Sequence, residues 1–537
     1  MRVEMFNPIL VHQFLTLSAD RFPDKCALVS REERWTYRAI DRATDLLAGS
    51  LMDKGLHRQD RVAIFLENSA EAVISVYGIL KAGGIFVMLN SSIRPKKLGY
   101  ILEDSGASFL MAHVGRAGMV KAALSHLQNP CKVIWVGDPS FIPVELLPGS
   151  FSWNSMFEGL HDKKDRSGEC LDCDLATLIY TSGSTGEPKG VMSTHYNMVS
   201  AARSIIQYLE NTSEDIVINV LPLSFDYGLY QLIMGFMFGG TVVLEKSFLY
   251  PTTVLETIER EKVTGFPIVP TIAAMLLRME NFSGSRLSSL RYMTNTAAAL
   301  PLEHIRKLRT LFPFARIYSM YGLTECKRVS YLPPEELERR PGSVGKAIPN
   351  CEVFIVDEEG RNVPAGQTGE LVIRGANVMQ GYWNAPELTS QTFRQGRYAG
   401  ERLLYSGDLF KKDEEGFLYF LGRKDDMIKT KGERVSPKEI ENVLCGLEGV
   451  AEAAVVGVPD EILGQAIHAY VALKPGIQVT EKRLLKYCAE HLEPFMAPSQ
   501  IKILQDLPKS PNGKVDKKAL LNGLGAMPRR CLGTGHL

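Results

Sequence analysis

The sequence has no excess of charge of either sign and no long uninterrupted apolar run. Lys plus Arg and Asp plus Glu each number 61 among 537 residues, so no basic surface for nucleic acid or an anionic membrane is expected. The most apolar stretches, 72–89 and 229–244, are interrupted by Lys81, Gln231 and glycines, which predicts no membrane span. The first 24 residues lack the apolar core of a signal peptide, so a cytoplasmic location is expected.

The cysteines are too few to build a disulfide framework. There are nine, and an odd number in a chain of this length predicts free thiols. Cys170 and Cys173 form a C-x-x-C pair, but no second pair follows at metal-ligand spacing. We interpret the two as loop thiols.

The length and the changing hydrophobic pattern predict several domains of α/β character. A chain of 537 residues exceeds what one core organises. We predict a large N-terminal domain over 1–422, with doubly wound βα layers over about 1–340 and a small, barrel-like β unit over about 342–420. A small α+β lid is predicted over 423–521 and a flexible Gly-rich tail over 522–537.

The segment 181–190 is rich in small hydroxylated residues and glycines, and its next-to-last residue is Lys189. It reads Thr-Ser-Gly-Ser-Thr-Gly-Glu-Pro-Lys-Gly and follows the apolar, β-prone segment 175–180. Glycines allow successive backbone N–H groups to point into one concavity, and Lys189 adds a charge that reaches phosphate oxygens. Pro188 stands where a P-loop has its second glycine, so this is not a Walker loop. We expect a phosphate-binding loop at the end of a buried strand.

The order of these ten residues closely resembles the signature loop of the acyl-adenylate-forming superfamily. That superfamily includes acyl-CoA synthetases, nonribosomal peptide synthetase adenylation domains and firefly-type luciferases, and the resemblance spans about residues 35–520. It implies an enzyme that uses ATP and Mg²⁺ to form an acyl-AMP and then a thioester. For the loop it implies a catalytic role for Thr185 and nucleotide binding by Thr181, Ser182, Gly183, Ser184, Gly186 and Lys189.

A second motif, Tyr-Gly-Leu-Thr-Glu at 321–325, follows a predicted strand over 316–319. Ligands of open α/β sheets bind at the carboxyl ends of the strands. The resemblance implies that Tyr321 stacks on adenine, that Gly322 and Thr324 contact the nucleotide, and that Glu325 is a catalytic ligand of Mg²⁺. A carboxylate together with phosphate oxygens suits this hard cation.

Further nucleotide-binding and catalytic positions follow from the resemblance in the last third of the chain. Asp408 corresponds to the residue that accepts the ribose hydroxyls, and Arg423 supports the same sugar. Lys514, in the turn Pro-Asn-Gly-Lys, corresponds to the catalytic lysine, whose charge stabilises the oxygens of the α-phosphate during attack.

Two other positions correspond to residues that serve the second half-reaction. Asp425 matches the hinge about which the lid turns. Gly432 matches a glycine that leaves room for the pantetheine arm, since it has no side chain.

The acid-binding pocket is expected to form from residues 223–231 and 295–301. Thr296, Ala297 and Ala298 stand where many relatives carry Gly-Gly-Ala, which narrows the entrance and favours a small or medium acid.

Asp226 and Tyr227 leave the type of acid open. In amino-acid-activating domains an aspartate after phenylalanine pairs with the substrate ammonium, and a buried carboxylate needs such a partner. Asp226 could instead bond to nearby backbone, and Tyr227 begins a departure from the usual continuation.

Two enzymes therefore remain open, an acyl-CoA synthetase and a free-standing amino-acid ligase that loads a separate carrier protein. A luciferase-like oxygenase would share the motifs up to the adenylate and is less favoured. A binding-only relative is disfavoured because each catalytic position is occupied by the expected residue.

Overall fold

The computed structural model describes most of the chain in three sheets and their helices. The described residues are 8–125, 127–129, 131–142, 146, 148–158, 169–182, 187–279, 284–296, 300, 302–424, 426–430, 433–460, 463–509 and 514–524.

Helices are numbered here in chain order. Their bounds are α1 Gln13–Arg21, α2 Tyr37–Asp53, α3 Ala70–Lys81, α4 Pro95–Ser105, α5 Ala117–Leu124, α6 His195–Leu209, α7 Asp226–Phe238, α8 Pro251–Arg260, α9 Pro270–Leu277, α10 Leu302–Leu311, α11 Pro386–Thr392, α12 Pro437–Gly446, α13 Glu481–His491 and α14 Lys517–Leu524.

Strands are numbered in the same way. They are β1 Cys26–Ser30, β2 Glu33–Thr36, β3 Arg61–Phe65, β4 Ile85–Met88, β5 Ala107–His113, β6 Lys132–Val136, β7 Ser150–Ser152, β8 Leu175–Ser182, β9 Pro188–Thr194, β10 Ile216–Asn219, β11 Thr241–Leu244, β12 Gly265–Ile268, β13 Tyr292–Asn295, β14 Arg316–Tyr321, β15 Ser330–Leu332, β16 Ser343–Ala347, β17 Cys351–Val356, β18 Gly369–Gly375, β19 Gly381–Tyr382, β20 Phe393–Gln395, β21 Arg402–Lys412, β22 Leu418–Arg423, β23 Ile428–Thr430, β24 Glu433–Val435, β25 Val450–Asp460, β26 Gly464–Leu473 and β27 Gln500–Leu504.

The first sheet carries the predicted phosphate loop. Its strand order is β19, β9, β8, β4, β3, β5, β6, β7, and β3 to β7 pair in parallel as the βα pattern predicts. The run 175–180 is the strand β8, and β9 returns antiparallel to it, so the loop closes a hairpin. The predicted phosphate loop therefore lies between two paired strands in the sequence, whereas a P-loop precedes a helix.

The second sheet joins the other α/β layer to the predicted β unit. Its order is β17, β18, β21, β22, β16, β15, β14, β13, β12, β10, β11, β1, β2, with β20 on β21. Pairing from β14 to β1 is parallel, whereas β14 to β17 pair antiparallel along the path. Strand β16 bonds both β15 and β22, so the β unit continues the α/β layer.

Helix α7 packs between the two layers. Its Leu232 and Phe236 belong to one apolar cluster with Val62 of β3 and Val242 of β11. Gly228 brings the start of the helix close to the preceding chain, because a Cβ there would lie 2.4 Å from the Pro222 carbonyl oxygen. The first turn of α7 is thereby fixed at the edge of the core.

The C-terminal segment forms the third sheet and a separate apolar core. The strand order is β24, β23, β26, β25, with β27 parallel to β26. Ile440 of α12, Val471 of β26 and Leu484 of α13 share one buried cluster. Helix α14 reaches Leu524, three residues into the segment predicted to be a flexible tail.

The described helices were also compared with the requirements of a membrane span. Among them, none combines the length and the apolar character needed to cross a bilayer.

Candidate active site

One cavity of about 630 Å³ lies where β8, β14 and the start of α7 meet the C-terminal segment. The carboxyl ends of the parallel strands supply much of its wall, as expected for an open α/β sheet. Ten of the predicted site residues line it, namely Thr181, Lys189, Asp226, Tyr227, Thr296, Gly322, Thr324, Glu325, Arg423 and Lys514. Residues as far apart in the sequence as Thr181 and Lys514 are thus brought to one cavity.

Several predicted residues lie outside the described part of the chain. They are Gly183, Ser184, Thr185, Gly186, Ala297, Ala298, Asp425 and Gly432, and of Ser182 only the backbone is described.

The buried Asp408 contacts Tyr321 and the half-exposed Arg423. In the pairing of β21 with β22, Asp408 lies opposite Arg423, and Arg423 Nε is 3.0 Å from Asp408 Oδ1. The Tyr321 hydroxyl donates a hydrogen bond to Asp408 Oδ2. Burial raises the pKa of Asp408 to about 6, although Arg423 and the Tyr321 hydroxyl act in the opposite direction.

One oxygen of this carboxylate remains available as an acceptor. Among the described residues, Asp408 Oδ1 has no hydrogen-bond partner, so its contact with Arg423 Nε is an ion pair without hydrogen-bond geometry. A buried acceptor of this kind is suited to a ligand hydroxyl.

Tyr321 does not lie in the cavity wall, because it is the last residue of β14 and is part of the sheet. Its backbone pairs with Ser330 of β15, and its ring packs against Phe410 and Phe420 at centroid distances of 4.9 and 6.1 Å. Gly322 is needed for close packing, since a Cβ there would lie 2.3 Å from the Lys327 carbonyl oxygen. In this structure Tyr321 therefore contacts the site through the hydrogen bond that its hydroxyl donates to Asp408.

Glu325 is held by a tyrosine that the sequence motifs did not indicate. The Tyr382 hydroxyl donates to Glu325 Oε1 at 2.7 Å, and Lys189 Nζ lies 5.7 Å from the centroid of the Tyr382 ring. Tyr382 belongs to β19, which pairs with β9 of the phosphate hairpin. Burial and then the Glu325 carboxylate raise the pKa of Tyr382, which keeps the phenol protonated as a donor.

The start of α7 places Asp226 and Tyr227 on the opposite wall. Asp226 is the first residue of α7 and is only partly buried. A carboxylate at the start of a helix interacts favourably with the positive end of the helix dipole. The Tyr227 hydroxyl donates to the Thr294 carbonyl oxygen at 2.8 Å. Thr296 is 5 % exposed.

A tight turn after the 321–325 motif brings two further cations to the cavity. Lys327 has φ 63°, and the Arg328 N–H donates to the Cys326 carbonyl oxygen at 2.8 Å across it, which is the hydrogen bond of a γ-turn. The side-chain amide of Asn377 donates two hydrogen bonds to the turn. Its Nδ2 lies 3.0 Å from the Cys326 carbonyl oxygen and 2.9 Å from the Arg328 carbonyl oxygen. Lys327 and Arg328 are 5 % and 4 % exposed and line the cavity. The sequence motifs did not single out either residue.

Around the cavity, the described residues present no ligand set for a structural metal. Within the described ranges, no group of three His, Cys, Asp or Glu side chains could hold a metal ion. Cys170 Sγ lies 3.5 Å from His195 Nε2, and Cys173 is exposed.

Comparisons with known proteins agree with this geometry. The AMP-binding enzyme family matches residues 15–383, and the AMP-binding enzyme C-terminal domain matches residues 439–514. The chain therefore belongs to the AMP-binding enzyme family. It is an ATP-dependent, AMP-forming ligase.

Individual relatives cover nearly the whole chain. It is 31% identical over 537 residues to a long-chain-fatty-acid–CoA ligase of Bacillus subtilis strain 168, which covers 95% of this chain and 94% of that protein. Tyrocidine synthase 1 of Brevibacillus parabrevis is 29% identical over 513 residues, and the match spans 95% of this chain but 44% of that protein. The o-succinylbenzoate coenzyme A synthetase of Bacillus subtilis, solved with ATP and a magnesium ion, is 30% identical with a TM-score of 0.79, covering 95% and 99% of the two chains.

Proposed function

We propose that this protein activates a small carboxylic acid with ATP, forming acyl-AMP and pyrophosphate, and then transfers the acyl group to the thiol of CoA. The observation that carries the proposal is the cavity itself. Lys514 from the C-terminal segment lines it together with Lys189, Thr324 and Glu325 from two different sheets. Cations, a hydroxyl and a carboxylate around one cavity are the groups that phosphoryl-group chemistry requires.

The proposed nucleotide site extends from this cavity to Asp408, which contacts the cavity residue Arg423. Thr181 and Lys189 of the hairpin and Thr324 of the second motif contact the phosphates, through hydroxyl donors and a charge. Asp408 Oδ1, the acceptor without a hydrogen-bond partner among the described residues, receives a ribose hydroxyl, and Arg423 supports it. Glycines and hydroxyls of the loop at 183–186 complete the phosphate site by resemblance.

Glu325 is the residue that would hold Mg²⁺. One carboxylate combined with phosphate oxygens and water is a common way for proteins to bind this ion. When bound, the ion neutralises phosphate charge. The hydrogen bond from Tyr382 fixes the orientation of the Glu325 carboxylate, so Tyr382 is a positioning residue.

Adenylation then depends on positioning and on charge stabilisation. The carboxylate of the acid attacks the α-phosphorus, the bond to pyrophosphate breaks, and negative charge collects on the α-phosphate oxygens. The ammonium of Lys514 stabilises that charge because it comes to the same cavity.

Thioester formation is proposed to follow a rotation of the C-terminal segment. Asp425 serves as the hinge, and Gly432 leaves space for the pantetheine arm, both by resemblance. The thiol attacks the acyl carbon and AMP leaves. CoA is the proposed acceptor because full-length relatives such as the Bacillus subtilis ligase are named CoA ligases.

A small acid is favoured by the size of the cavity and by its walls. The 630 Å³ are shared by the nucleotide and the acid, and Thr296 is buried in the wall where a glycine would leave more space.

The second candidate is an amino-acid ligase that loads a carrier protein. Asp226 lines the cavity and could receive a substrate ammonium, and tyrocidine synthase 1 is among the relatives. Its position at the start of α7 gives the same carboxylate a structural explanation, which weakens this alternative.

ATP–pyrophosphate exchange tests the two candidates. Each amino acid is compared with its analogue that lacks the amino group, and the active acid is then offered with CoA or with a phosphopantetheinylated carrier protein. Exchange with the plain acid and thioester formation on CoA are expected. Exchange confined to amino acids, with transfer only to the carrier, would establish the alternative, and no exchange with any acid would reject both.

A further inference from the structure

Lys327 is a buried cation whose charge is not paired in the described structure. The residue is 5 % exposed, and among the described residues its Nζ has no hydrogen-bond partner. An ammonium in such a position is unfavourable unless an anion meets it. The carboxylates of Asp226 and Glu325 attract the ammonium, but in the described structure neither forms a hydrogen bond with it.

The backbone holds this lysine at the cavity at some energetic cost. A non-glycine residue at φ 63° is uncommon, and such strain concentrates at functional sites. The turn is fixed by Asn377 through the two carbonyl groups on either side of Lys327. The position of the lysine is therefore determined by the fold and not by a partner of its own.

Its surroundings belong to the acid side of the cavity. Lys327 Nζ lies 5.5 Å from the centroid of the Tyr230 ring, and the Arg328 guanidinium lies 5.2 Å from that of Tyr227. Both tyrosines are on α7, whose first residue is Asp226. Lys327 and Arg328 are thus two cations beside the wall formed by α7. In the described part of the chain, Arg328 Nε also has no hydrogen-bond partner.

We propose that the acid activated by this protein carries a second, distal carboxylate, and that Lys327 binds that carboxylate with Arg328 beside it. This inference rests on the proposed function, since it names the class of acid for the same site. A carboxylate supplies the acceptors that the ammonium lacks, and a guanidinium can bind it through two parallel hydrogen bonds. A small dicarboxylic acid thus satisfies both cations while its other carboxylate reacts.

A phosphate of the nucleotide is the other anion that could meet Lys327, because Glu325 is only two residues away. The experiment therefore compares acids and nucleotide separately. ATP–pyrophosphate exchange is measured with matched pairs of equal chain length, glutarate against pentanoate and adipate against hexanoate, with 6-aminohexanoate as the cationic analogue. The Michaelis constant for ATP is measured in parallel.

The variants are Lys327→Met, Lys327→Glu and a control, Lys262→Met. Lys262 is an exposed lysine that also has a positive φ, 52°, so the control repeats the substitution on the same kind of backbone away from the cavity. We expect the wild-type protein to prefer each dicarboxylate by about 10- to 100-fold in kcat/KM, as for one hydrogen bond to a charged group. Lys327→Met should abolish the preference, Lys327→Glu should shift it toward 6-aminohexanoate, and Lys262→Met should leave it unchanged.

The opposite results are equally clear, and the wild-type comparison needs no variant to fold. Equal or faster exchange with monocarboxylates would overturn the inference and leave the proposed ligase function intact. A higher Michaelis constant for ATP in Lys327→Met, with the acid preference unchanged, would assign Lys327 to the nucleotide and also overturn it. A protein that binds ATP but exchanges with none of these acids would reject the dicarboxylate class, whereas failure to bind ATP would reject the proposed function.

Discussion

Replacing Asp408 by asparagine should stabilise the protein while it weakens nucleotide binding. The pKa of Asp408 is raised by burial from its ordinary value of 3.8 to about 6. The folded state therefore disfavours the charged form, and the stability that this group contributes is fully present below pH 4 and is lost as the pH rises through 6. At about 1.4 kcal/mol for each unit of pKa, the loss at pH 8 is about 3 kcal/mol.

Asp408→Asn removes this cost without changing the shape of the side chain. Tyr321 retains an oxygen acceptor, and Arg423 is half exposed, so its charge remains solvated. The variant should be more stable than the wild type at pH 8 by up to about 3 kcal/mol, with the difference vanishing near pH 4. The loss of a charged acceptor should weaken AMP binding at pH 8 by about 10- to 100-fold.

Urea unfolding at pH 4 and pH 8 and calorimetric titration with AMP measure the two effects. Asp215→Asn is the matched control, because hydrogen bonds from Arg291 and from the Thr212 N–H outweigh burial and hold the pKa of Asp215 below its ordinary value. That substitution should destabilise the protein at pH 8. An Asp408→Asn protein that is less stable at pH 8, or whose difference from the wild type does not change with pH, would refute the electrostatic reasoning.

Three other substitutions test separate parts of the site. Lys514→Ala should remove most ATP–pyrophosphate exchange but preserve thioester formation from supplied acyl-AMP, and equal loss of both half-reactions would contradict the role of the lysine. Tyr382→Phe should raise the Mg²⁺ concentration for half-maximal exchange by about 5- to 10-fold through loss of the hydrogen bond to Glu325, whereas the exposed Tyr398→Phe should not. Asn377→Ala removes two hydrogen bonds to the carbonyl groups of the turn and should lower the free energy of unfolding by about 2 kcal/mol; a change below about 0.5 kcal/mol would show that the turn does not depend on it.

Local pattern predicted much of the architecture. The mixed α/β fold with a smaller C-terminal part is confirmed, and the predicted strand over 316–319 lies within β14. Strand β14 continues to Tyr321, because β15 returns along it and supplies hydrogen-bond partners that the local sequence does not reveal. The sequence alone therefore placed Tyr321 in a loop of the site.

The residues that were missed depend on contacts between distant segments. Tyr382 meets Glu325 only because β19 pairs with β9, and the two residues are 57 positions apart. The sequence motifs did not single out Lys327, whose turn has an unusual φ and accepts hydrogen bonds from Asn377, 50 positions later. Composition and spacing carry no signal for either contact.

Asn377 fixes the backbone of the 326–328 turn without contacting the side chains that the turn presents to the cavity. The amide contacts only main-chain carbonyl groups, so the turn does not depend on which side chains stand at 327 and 328. Glu325 and Thr324, just before it, can stay constant while the neighbouring pair changes. Substitution of Lys327 and Arg328 would then alter which acid is accepted and leave the residues that perform adenylation in place. Redesign of the acid specificity should therefore begin at this turn.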